Sequence, residues 1–177
     1  MLYYTEHPSP VGMLTIVCDR EKIVGVWMKD QRYYTDTLTK VPALNKDTAV
    51  LREATDWIDR YFACKRPSPY ELPLAPAGNE FRKAVWKRLC EIPYGEVTSY
   101  KVIAEKVAAD LGKYRMSAQA VGGAVGHNPI SIIIPCHRVV GANGNLTGYG
   151  GGMDRKIQLL KFEGTDMSKL FLPKNKT

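Results

Sequence analysis

The sequence predicts an α/β protein of two domains. A small N-terminal α/β domain, made of strands plus one helix, is expected over residues 1–78, and a mainly helical C-terminal domain with a helix-turn-helix over residues 79–177. Two strand-like runs precede an amphipathic helix, a segment rich in Pro and Gly follows at 67–79, and helical periodicity dominates the rest of the chain. A chain of 177 residues can bury one good core or two small ones.

The N-terminal elements begin with a hairpin. Apolar runs over 12–18 and 23–28 are joined by the polar residues 19–22, which predicts two paired strands. A helix is predicted over 47–62 because its apolar side chains fall on one helical stripe, formed by Val50, Leu51, Ala54, Trp57, Ile58 and Tyr61. The Pro-rich segment at 67–79 is interpreted as a linker that ends this domain.

Helical spacing of apolar side chains marks the second half of the chain. It predicts four helices, over residues 81–90, 99–109, 118–126 and 153–162. Ser117 is placed to cap the third of them. The second and third are separated by a short turn containing a glycine, which indicates a helix-turn-helix, with an ordinary helical hairpin as the alternative.

The third of these helices has an unusual surface. Gly122 and Gly123 stand in its middle, where each costs up to about 1 kcal/mol relative to alanine. A bare helix surface lets a backbone or a groove wall approach closely. Gln119 is the one long polar side chain near its start, whereas helices that read the major groove present several. The pattern therefore favours the DNA minor groove.

Charge is distributed unevenly along the chain. Residues 1–78 contain 10 basic and 10 acidic side chains, while residues 79–177 contain 15 basic and 8 acidic ones, so the net charge of +7 lies in the second part. Such asymmetry predicts a polyanionic partner for that part, against the alternative of a merely basic solvated surface. No apolar stretch long enough to span a bilayer and no secretory signal is found, which predicts a reducing, intracellular compartment.

A cysteine beside a histidine is the strongest chemical signal. Residues 132–134 form an apolar run that predicts a buried strand, ended by a proline, so that Cys136 would be held at a rigid strand end. A thiol becomes a good nucleophile as a thiolate, and the imidazole of His137 and the charge of Arg138 would lower its pKa. Without further context, a buried structural cysteine next to a chance histidine is the alternative.

The remaining cysteines and the glycine-rich loop carry weaker signals. Cys18, Cys64 and Cys90 show no metal-ligand spacing and are interpreted as packing residues, so no metal site is predicted. The loop at 141–152 lacks the fingerprint and lysine of a phosphate-binding loop. With Tyr149 inside it, the loop suits a flexible wall that closes around a flat ligand.

Several segments in order resemble the O6-alkylguanine-DNA alkyltransferase family, the methylated-DNA–protein-cysteine methyltransferases. The resemblance is close over residues 80–164 and loose over residues 1–78. It rests on Pro-Cys-His-Arg at 135–138 and on the segments at 85–86, 92–95, 99–100, 120–124, 128–129, 134–140, 148–152 and 162–164.

The resemblance implies a DNA-repair activity. The protein would move an alkyl group from O6 of guanine, and from O4 of thymine, irreversibly to Cys136, once per molecule and without a cofactor. Its partner would be double-stranded DNA, bound from the minor groove with the damaged base flipped out of the stack. A cytoplasmic monomer with no membrane partner is expected, associated with the nucleoid if the source is a prokaryote.

The resemblance also implies residue roles. Cys136 would accept the alkyl group, His137 would act as base through a water molecule, and Glu163 would orient and charge-stabilise His137. Asn128 would brace the turn that carries Cys136, and Tyr100 would protonate the departing guanine. Contacts to substrate or DNA are expected from Gln119, Ala120, Gly122, Gly123, Arg138, Val139, Tyr149, Gly150, Gly151 and Lys156.

Two positions depart from the family pattern. The side chain that fills the vacated base stack is usually arginine, and this chain has Gln119, which is shorter and neutral. Gly150 stands where serine is frequent, with little effect expected because a backbone N–H serves there.

Three rival functions remain at this point. An alkyltransferase-like protein that binds damage without removing it would lack the acceptor cysteine. A helix-turn-helix regulator would present more base-reading side chains. A cysteine hydrolase would turn over many times and would not need a basic half.

Overall fold

A four-stranded sheet forms the N-terminal layer of the protein. The computed structural model describes residues 1–34, 36, 38, 44–45 and 47–174. The sheet has the order β3-β2-β1-β4, with β1 parallel to β4 and the other pairs antiparallel. Its strands are β1 (Tyr3–Ser9), β2 (Gly12–Cys18), β3 (Ile23–Met28) and β4 (Leu44–Asn45).

The predicted hairpin is confirmed as β2 and β3, whereas β1 was not predicted from the sequence. Side chains of β2 and β3 are mostly buried, so these strands stand out in the sequence as apolar runs. Most side chains of β1 are at least partly exposed, and that strand includes a proline, which is tolerated near the end of a strand. Its weak apolar signal is the reason that the sequence did not reveal it.

Helix α1 (Ala49–Phe62) covers one face of this sheet. Its N-terminus is capped by Thr48, whose hydroxyl accepts a hydrogen bond from the N–H of Leu51. All six side chains of the predicted apolar stripe are buried. The helix prediction over 47–62 is therefore confirmed, apart from two residues at its start.

The segment at 67–79 is ordered and is hydrogen-bonded to the sheet. The N–H of Ile23 donates to the carbonyl of Pro73, and the N–H of Ala75 donates back to the carbonyl of Ile23, both at 2.8 Å. These bonds cover part of the outer edge of β3, which would otherwise be open for pairing. The segment predicted as a linker is therefore ordered and hydrogen-bonded to the sheet, and its role as a linker between domains stays a prediction. The division between residues 78 and 79 stays a prediction, because one continuous apolar core draws side chains from both sides of it.

Four helices build the second part, as the periodicity predicts. They are α2 (Glu80–Leu89), α3 (Tyr100–Asp110), α4 (Ala118–Gly126) and α5 (Met153–Phe162), with two short parallel strands, β5 (Thr98–Ser99) and β6 (Val139–Val140). The hydroxyls of Ser99 and Ser117 cap α3 and α4. Trp86 of α2 donates its indole N–H to the carbonyl of Ala124 at 2.8 Å, which fixes α4 against α2.

The predicted strand over residues 132–134 is wrong. These isoleucines are buried, but they lie in turns, with Ile132 at φ +71° and the N–H of Ile134 bonded to the carbonyl of Ile130 at 3.0 Å. Asn128 makes the turn possible, because its side chain accepts from the N–H of Ile130 at 3.0 Å and donates to the carbonyl of Ile134 at 2.8 Å. A short apolar run reports burial and does not fix the backbone conformation.

Among the residues that the structure describes, no helix combines the length and the apolar character needed to cross a bilayer.

Candidate active site

A buried 3₁₀ turn, Cys136–Arg138, carries the candidate nucleophile. The exposed fractions of Cys136, His137 and Arg138 are 5%, 0% and 6%. Such a turn directs consecutive side chains to different sides, so Cys136 and His137 need not face each other. Glu163, the C-cap residue that follows α5, lies on the His137 and Arg138 side of the turn.

Glu163 is the centre of a buried hydrogen-bond network. Its Oε1 accepts from the hydroxyl of Tyr61 at 2.6 Å, from Nε2 of His137 at 2.7 Å and from Nη2 of Arg138 at 2.8 Å. Its Oε2 accepts from Nε of Arg138 at 2.9 Å and from the N–H of Gly95 at 3.2 Å. Burial alone would raise the pKa of Glu163, but His137 and Arg138 outweigh it and hold that pKa well below its ordinary value. The carboxylate is therefore ionised.

His137 is held in one tautomer by this carboxylate. Because an ionised carboxylate only accepts hydrogen bonds, Nε2 of His137 must carry the proton. Burial lowers the pKa of His137, and Glu163 offsets this only in part, so the imidazole is neutral at neutral pH. Its Nδ1 is buried and has no hydrogen-bond partner among the described residues. That nitrogen is free to accept a proton, which is the property of a general base.

The thiol of Cys136 is protonated at rest. Burial raises its pKa, and the side chain of Asn128 and the charge of Lys156 partly offset that rise. Nζ of Lys156 is fully buried and donates to the carbonyls of Val139 at 2.6 Å and Thr147 at 3.0 Å. Burial lowers the pKa of this lysine to about 8, which still leaves it mostly charged at neutral pH. A thiolate at Cys136 would gain from this cation.

The role expected for Arg138 is corrected by the structure. Its guanidinium forms a bidentate ion pair with Glu163 and donates to the carbonyl of Ile92 at 2.6 Å. The charge of Arg138 is neutralised by Glu163. The cation that partly offsets the raised pKa of the Cys136 thiol is Lys156. Arg138 is 6% exposed, and its guanidinium nitrogens already donate to Glu163 and Ile92, so the structure does not present this side chain as a DNA contact.

An open cavity of about 890 Å³ is lined by α3, α4 and the loop at 147–150, and Cys136 is not among its lining residues. One wall is the glycine-bearing face of α4, and the opposite wall is the loop at 147–150. Tyr149 lines this cavity and also interacts with the side chain of Cys136, and burial raises the pKa of its hydroxyl. Tyr100 lines it from α3 and donates a long hydrogen bond of 3.4 Å to the carbonyl of Thr147. Burial raises the pKa of Tyr100, so its hydroxyl remains a proton donor.

The predicted site residues fall into two groups with four exceptions. The cavity is lined by Tyr100, Gln119, Gly122, Gly123, Tyr149 and Gly150. The buried network around the thiol contains Asn128, His137, Lys156 and Glu163.

The exceptions have other positions. Val139 is fully buried and contributes its carbonyl to Lys156 instead of a pocket wall. Ala120 is exposed on α4 outside the cavity, and Arg138 is paired with Glu163. Gly151 lies behind Tyr149, where a Cβ atom would come within 2.8 Å of that ring.

Sequence reasoning missed the contribution of the N-terminal part. The apolar stripe of α1 predicts a core position for Tyr61, and nothing in that stripe marks its hydroxyl as a donor to Glu163. Arg32 donates its backbone N–H to the carbonyl of Gly150 at 2.8 Å, which anchors the cavity wall. Tyr33 stacks on His127 with ring centroids 3.9 Å apart, and both residues line the cavity. No sequence pattern in this polar segment points to that role.

Within the described part of the chain, no group of three or more His, Cys, Asp or Glu side chains could hold a metal ion. All four cysteines are free, and burial raises the pKa of Cys90 to about 11.

Both parts of this chain are similar in sequence to known proteins. Residues 80–165 match the family "6-O-methylguanine DNA methyltransferase, DNA binding domain", and residues 2–76 match "6-O-methylguanine DNA methyltransferase, ribonuclease-like domain". A methylated-DNA–protein-cysteine methyltransferase of Mycobacterium tuberculosis (strain H37Rv) is 40% identical over 163 residues, covering 92% of this chain and 93% of the relative. One from Methanosarcina acetivorans is 41% identical over 166 residues, covering 93% and 99%.

A solved structure extends the comparison to three dimensions. The crystal structure of Mycobacterium tuberculosis OGT in complex with DNA is similar with a TM-score of 0.77 and 39% identity, covering 95% of this chain and 94% of that one. The likeness therefore includes both the sheet layer and the helical part.

Proposed function

The chain belongs to the 6-O-methylguanine DNA methyltransferase family, and from that premise we propose that it repairs alkylated DNA by moving the alkyl group from O6 of guanine irreversibly onto Cys136. O4-alkylthymine is included as a second substrate. One observation carries the assignment to these atoms: a buried thiol directly precedes a neutral histidine oriented by Glu163, and Tyr149, which interacts with that thiol, lines a cavity large enough for a nucleobase.

The reaction begins with a proton transfer. Nδ1 of His137 takes the proton of the Cys136 thiol through a water molecule, and Glu163 stabilises the imidazolium that forms. Lys156 stabilises the thiolate. Because the resting thiol has a raised pKa, the thiolate forms only as the proton moves.

The alkyl transfer itself is a displacement at carbon. The sulfur forms a bond to the alkyl carbon while the bond from that carbon to O6 breaks, and its electron pair leaves with the guanine. Tyr100 donates a proton to the guanine ring, which makes it a better leaving group. The product is a stable thioether, from which the free thiol is not regenerated. Each molecule therefore acts once.

The damaged base must leave the duplex to reach this site. We infer that α4 lies in the minor groove, since Gly122 and Gly123 line the cavity and no described atom outside this helix lies within 4 Å of a Cβ built at Gly123. Tyr149 and the backbone of Gly150 then enclose the flipped base. A cytoplasmic monomer is proposed as the working form, which agrees with four free cysteines in a reducing compartment.

The test is the stoichiometry of transfer. Incubated with excess duplex containing O6-methylguanine, the protein should gain one methyl group and then stop, as followed by intact-protein mass spectrometry and peptide mapping. Repeated turnover would indicate a hydrolase, and binding without any mass change would indicate a damage-recognition protein. Either result would overturn the proposal.

Gln119 offers a prediction about base flipping. It is exposed at the start of α4 and lines the cavity, so we expect it to fill the gap that the flipped base leaves. Gln119→Ala should slow repair of a duplex lesion by about tenfold, which corresponds to ~1.4 kcal/mol. Reaction with the free base O6-benzylguanine should stay near wild type, because nothing needs to be flipped. Equal slowing on both substrates would place Gln119 in the chemistry or the fold instead.

A further inference from the structure

A second groove lies next to the cavity, between α3 and the turn that leads into α4. Its volume is about 430 Å³. It is lined by Lys101, Ala104, Glu105, Ala108, Ala109, Lys113, Tyr114, Arg115, Met116 and Ala118. None of the roles assigned above uses this groove.

The turn beside this groove has a defined backbone. Gly112 adopts φ +62° after the end of α3, its N–H bonds to the carbonyl of Ala109 at 3.2 Å, and the N–H of Lys113 bonds to the carbonyl of Ala108 at 2.8 Å. This is a Schellman motif, which closes a helix C-terminus in one fixed geometry. Met116 packs against the core just beyond it. The side chains between these two anchors are therefore presented from a rigid base.

The side chain at the apex is Tyr114, which is 100% exposed. Lys113 and Arg115 flank it and are exposed as well. A fully exposed aromatic ring buries nothing in the free protein, whereas aromatic rings and cations together are typical of surfaces that bind nucleic acid.

The groove is complementary to a sugar–phosphate chain. The charged side chains that line the groove are three cations, Lys101, Lys113 and Arg115, and one carboxylate, Glu105. In the part of the chain that the structure describes, none of these cations forms an ion pair. Four alanines also line the groove, and their methyl groups suit the apolar face of a deoxyribose. Unpaired cations beside an apolar lining match alternating phosphates and sugars.

The groove is continuous with the cavity. Lys101 and Ala118 line both of them, and Gln119, the residue that follows Ala118, lines the cavity. A strand whose base enters the cavity would therefore have its neighbouring backbone at the groove. Gln119 brings no charge to this strand, so the cations must come from elsewhere on the surface.

Resting on the proposed function, we propose that this groove binds the DNA backbone next to the flipped nucleotide. Lys113 and Arg115 contact phosphates, and the ring of Tyr114 packs against a sugar. The DNA interface thus extends from α4 over the preceding turn, which supplies the positive charge that Gln119 lacks.

The experiment measures affinity for an unmodified duplex as a function of salt concentration. Each phosphate contact contributes about −0.9 to the slope of log affinity against log salt. The double variant Lys113→Ala, Arg115→Ala should lower the magnitude of that slope by roughly 1.8, and Tyr114→Ala should weaken binding with the slope unchanged. The matched control is Arg20→Ala, Lys22→Ala, which removes the same charge from the β2–β3 turn, outside both the cavity and the groove.

Two activity measurements separate this inference from its premise. All variants should react with O6-benzylguanine at the wild-type rate, while the groove variants repair an O6-methylguanine duplex more slowly at subsaturating protein. If wild type gains a methyl group but the groove and control double variants change the slope equally, the groove inference is overturned and the repair function stands. A groove variant that loses the free-base reaction as well would also overturn it, since its role would then lie in the fold. Failure of the wild type to gain any methyl group would instead overturn the proposed function.

Discussion

Replacing Cys136 with serine should abolish alkyl transfer while leaving the protein folded and able to bind DNA. Serine keeps the size of the side chain in its buried site, so the surrounding packing is retained. A hydroxyl is far less acidic than a thiol, and the neutral His137 cannot ionise it. We expect the single-turnover rate to fall by a factor on the order of 10⁶, the scale found when the nucleophile of a triad is removed. Quantitative mass spectrometry against time provides the measurement.

The other cysteines provide matched controls for this result. Cys90→Ser removes a thiol from the same half of the chain as Cys136, and Cys64→Ser removes an exposed thiol from the other half. Neither cysteine is among the residues that donate to Glu163. Cys90 has a pKa raised to about 11 by burial, so it contributes almost no thiolate at neutral pH. Both variants should still gain one methyl group. Methylation of Cys136→Ser at any other cysteine would contradict the assignment of the acceptor.

The helices were predictable because their apolar side chains repeat with helical spacing, as on α1, where the whole predicted stripe is buried. The strand predicted at residues 132–134 failed for a physical reason. Those isoleucines are buried by tertiary packing, and their backbone is satisfied by the side chain of Asn128 instead of a sheet ladder. β1 was not predicted for the opposite reason, since most of its side chains are partly exposed and show no clear apolar pattern.

The site was predictable where a local motif carries it, as for Cys136 and His137, and where the family resemblance supplies a partner, as for Glu163. The contacts that set the electrostatics come from residues far apart in the sequence. Tyr61 donates to Glu163 although the two residues are 102 positions apart in the sequence. Only the folded chain shows that Arg138 forms an ion pair with the same carboxylate. Lys156, predicted only as a support of the base pocket, is the cation that acts on the thiol.

Glu163→Gln should be the most damaging substitution outside the nucleophile, and it should damage both stability and rate. The neutral amide would leave the buried guanidinium of Arg138 without its counter-charge, which costs about 3–5 kcal/mol when one partner of a buried pair is removed. The substitution would also remove the negative charge that stabilises protonated His137. The single-turnover rate should then fall by about 10²–10⁴-fold on duplex and free base alike. Chemical denaturation and rapid-quench kinetics measure the two losses.

The pH dependence of stability gives an independent check. Because the folded pKa of Glu163 lies below its unfolded value of about 4.3, its contribution is fully present above that pH and is lost as the pH falls toward the folded value. The stability difference between wild type and Glu163→Gln should therefore be largest near neutral pH and shrink below about pH 4. A difference that is constant over this range would mean that the carboxylate's charge is not what stabilises the fold.

Tyr61→Phe separates the two effects of Glu163. The lost hydroxyl donates to the charged carboxylate at 2.6 Å, so stability should fall by about 1.5–3 kcal/mol. The bonds from His137 and Arg138 to Glu163 remain, so the rate should change by less than about tenfold. Tyr94→Phe is the control, because that ring packs edge-on to Tyr61 while its hydroxyl makes no hydrogen bond to Glu163. If Tyr61→Phe lost as much rate as Glu163→Gln, loosening of the buried network would explain both results. A small rate loss at a substantial loss of stability would instead assign the effect of Glu163 to its charge beside His137.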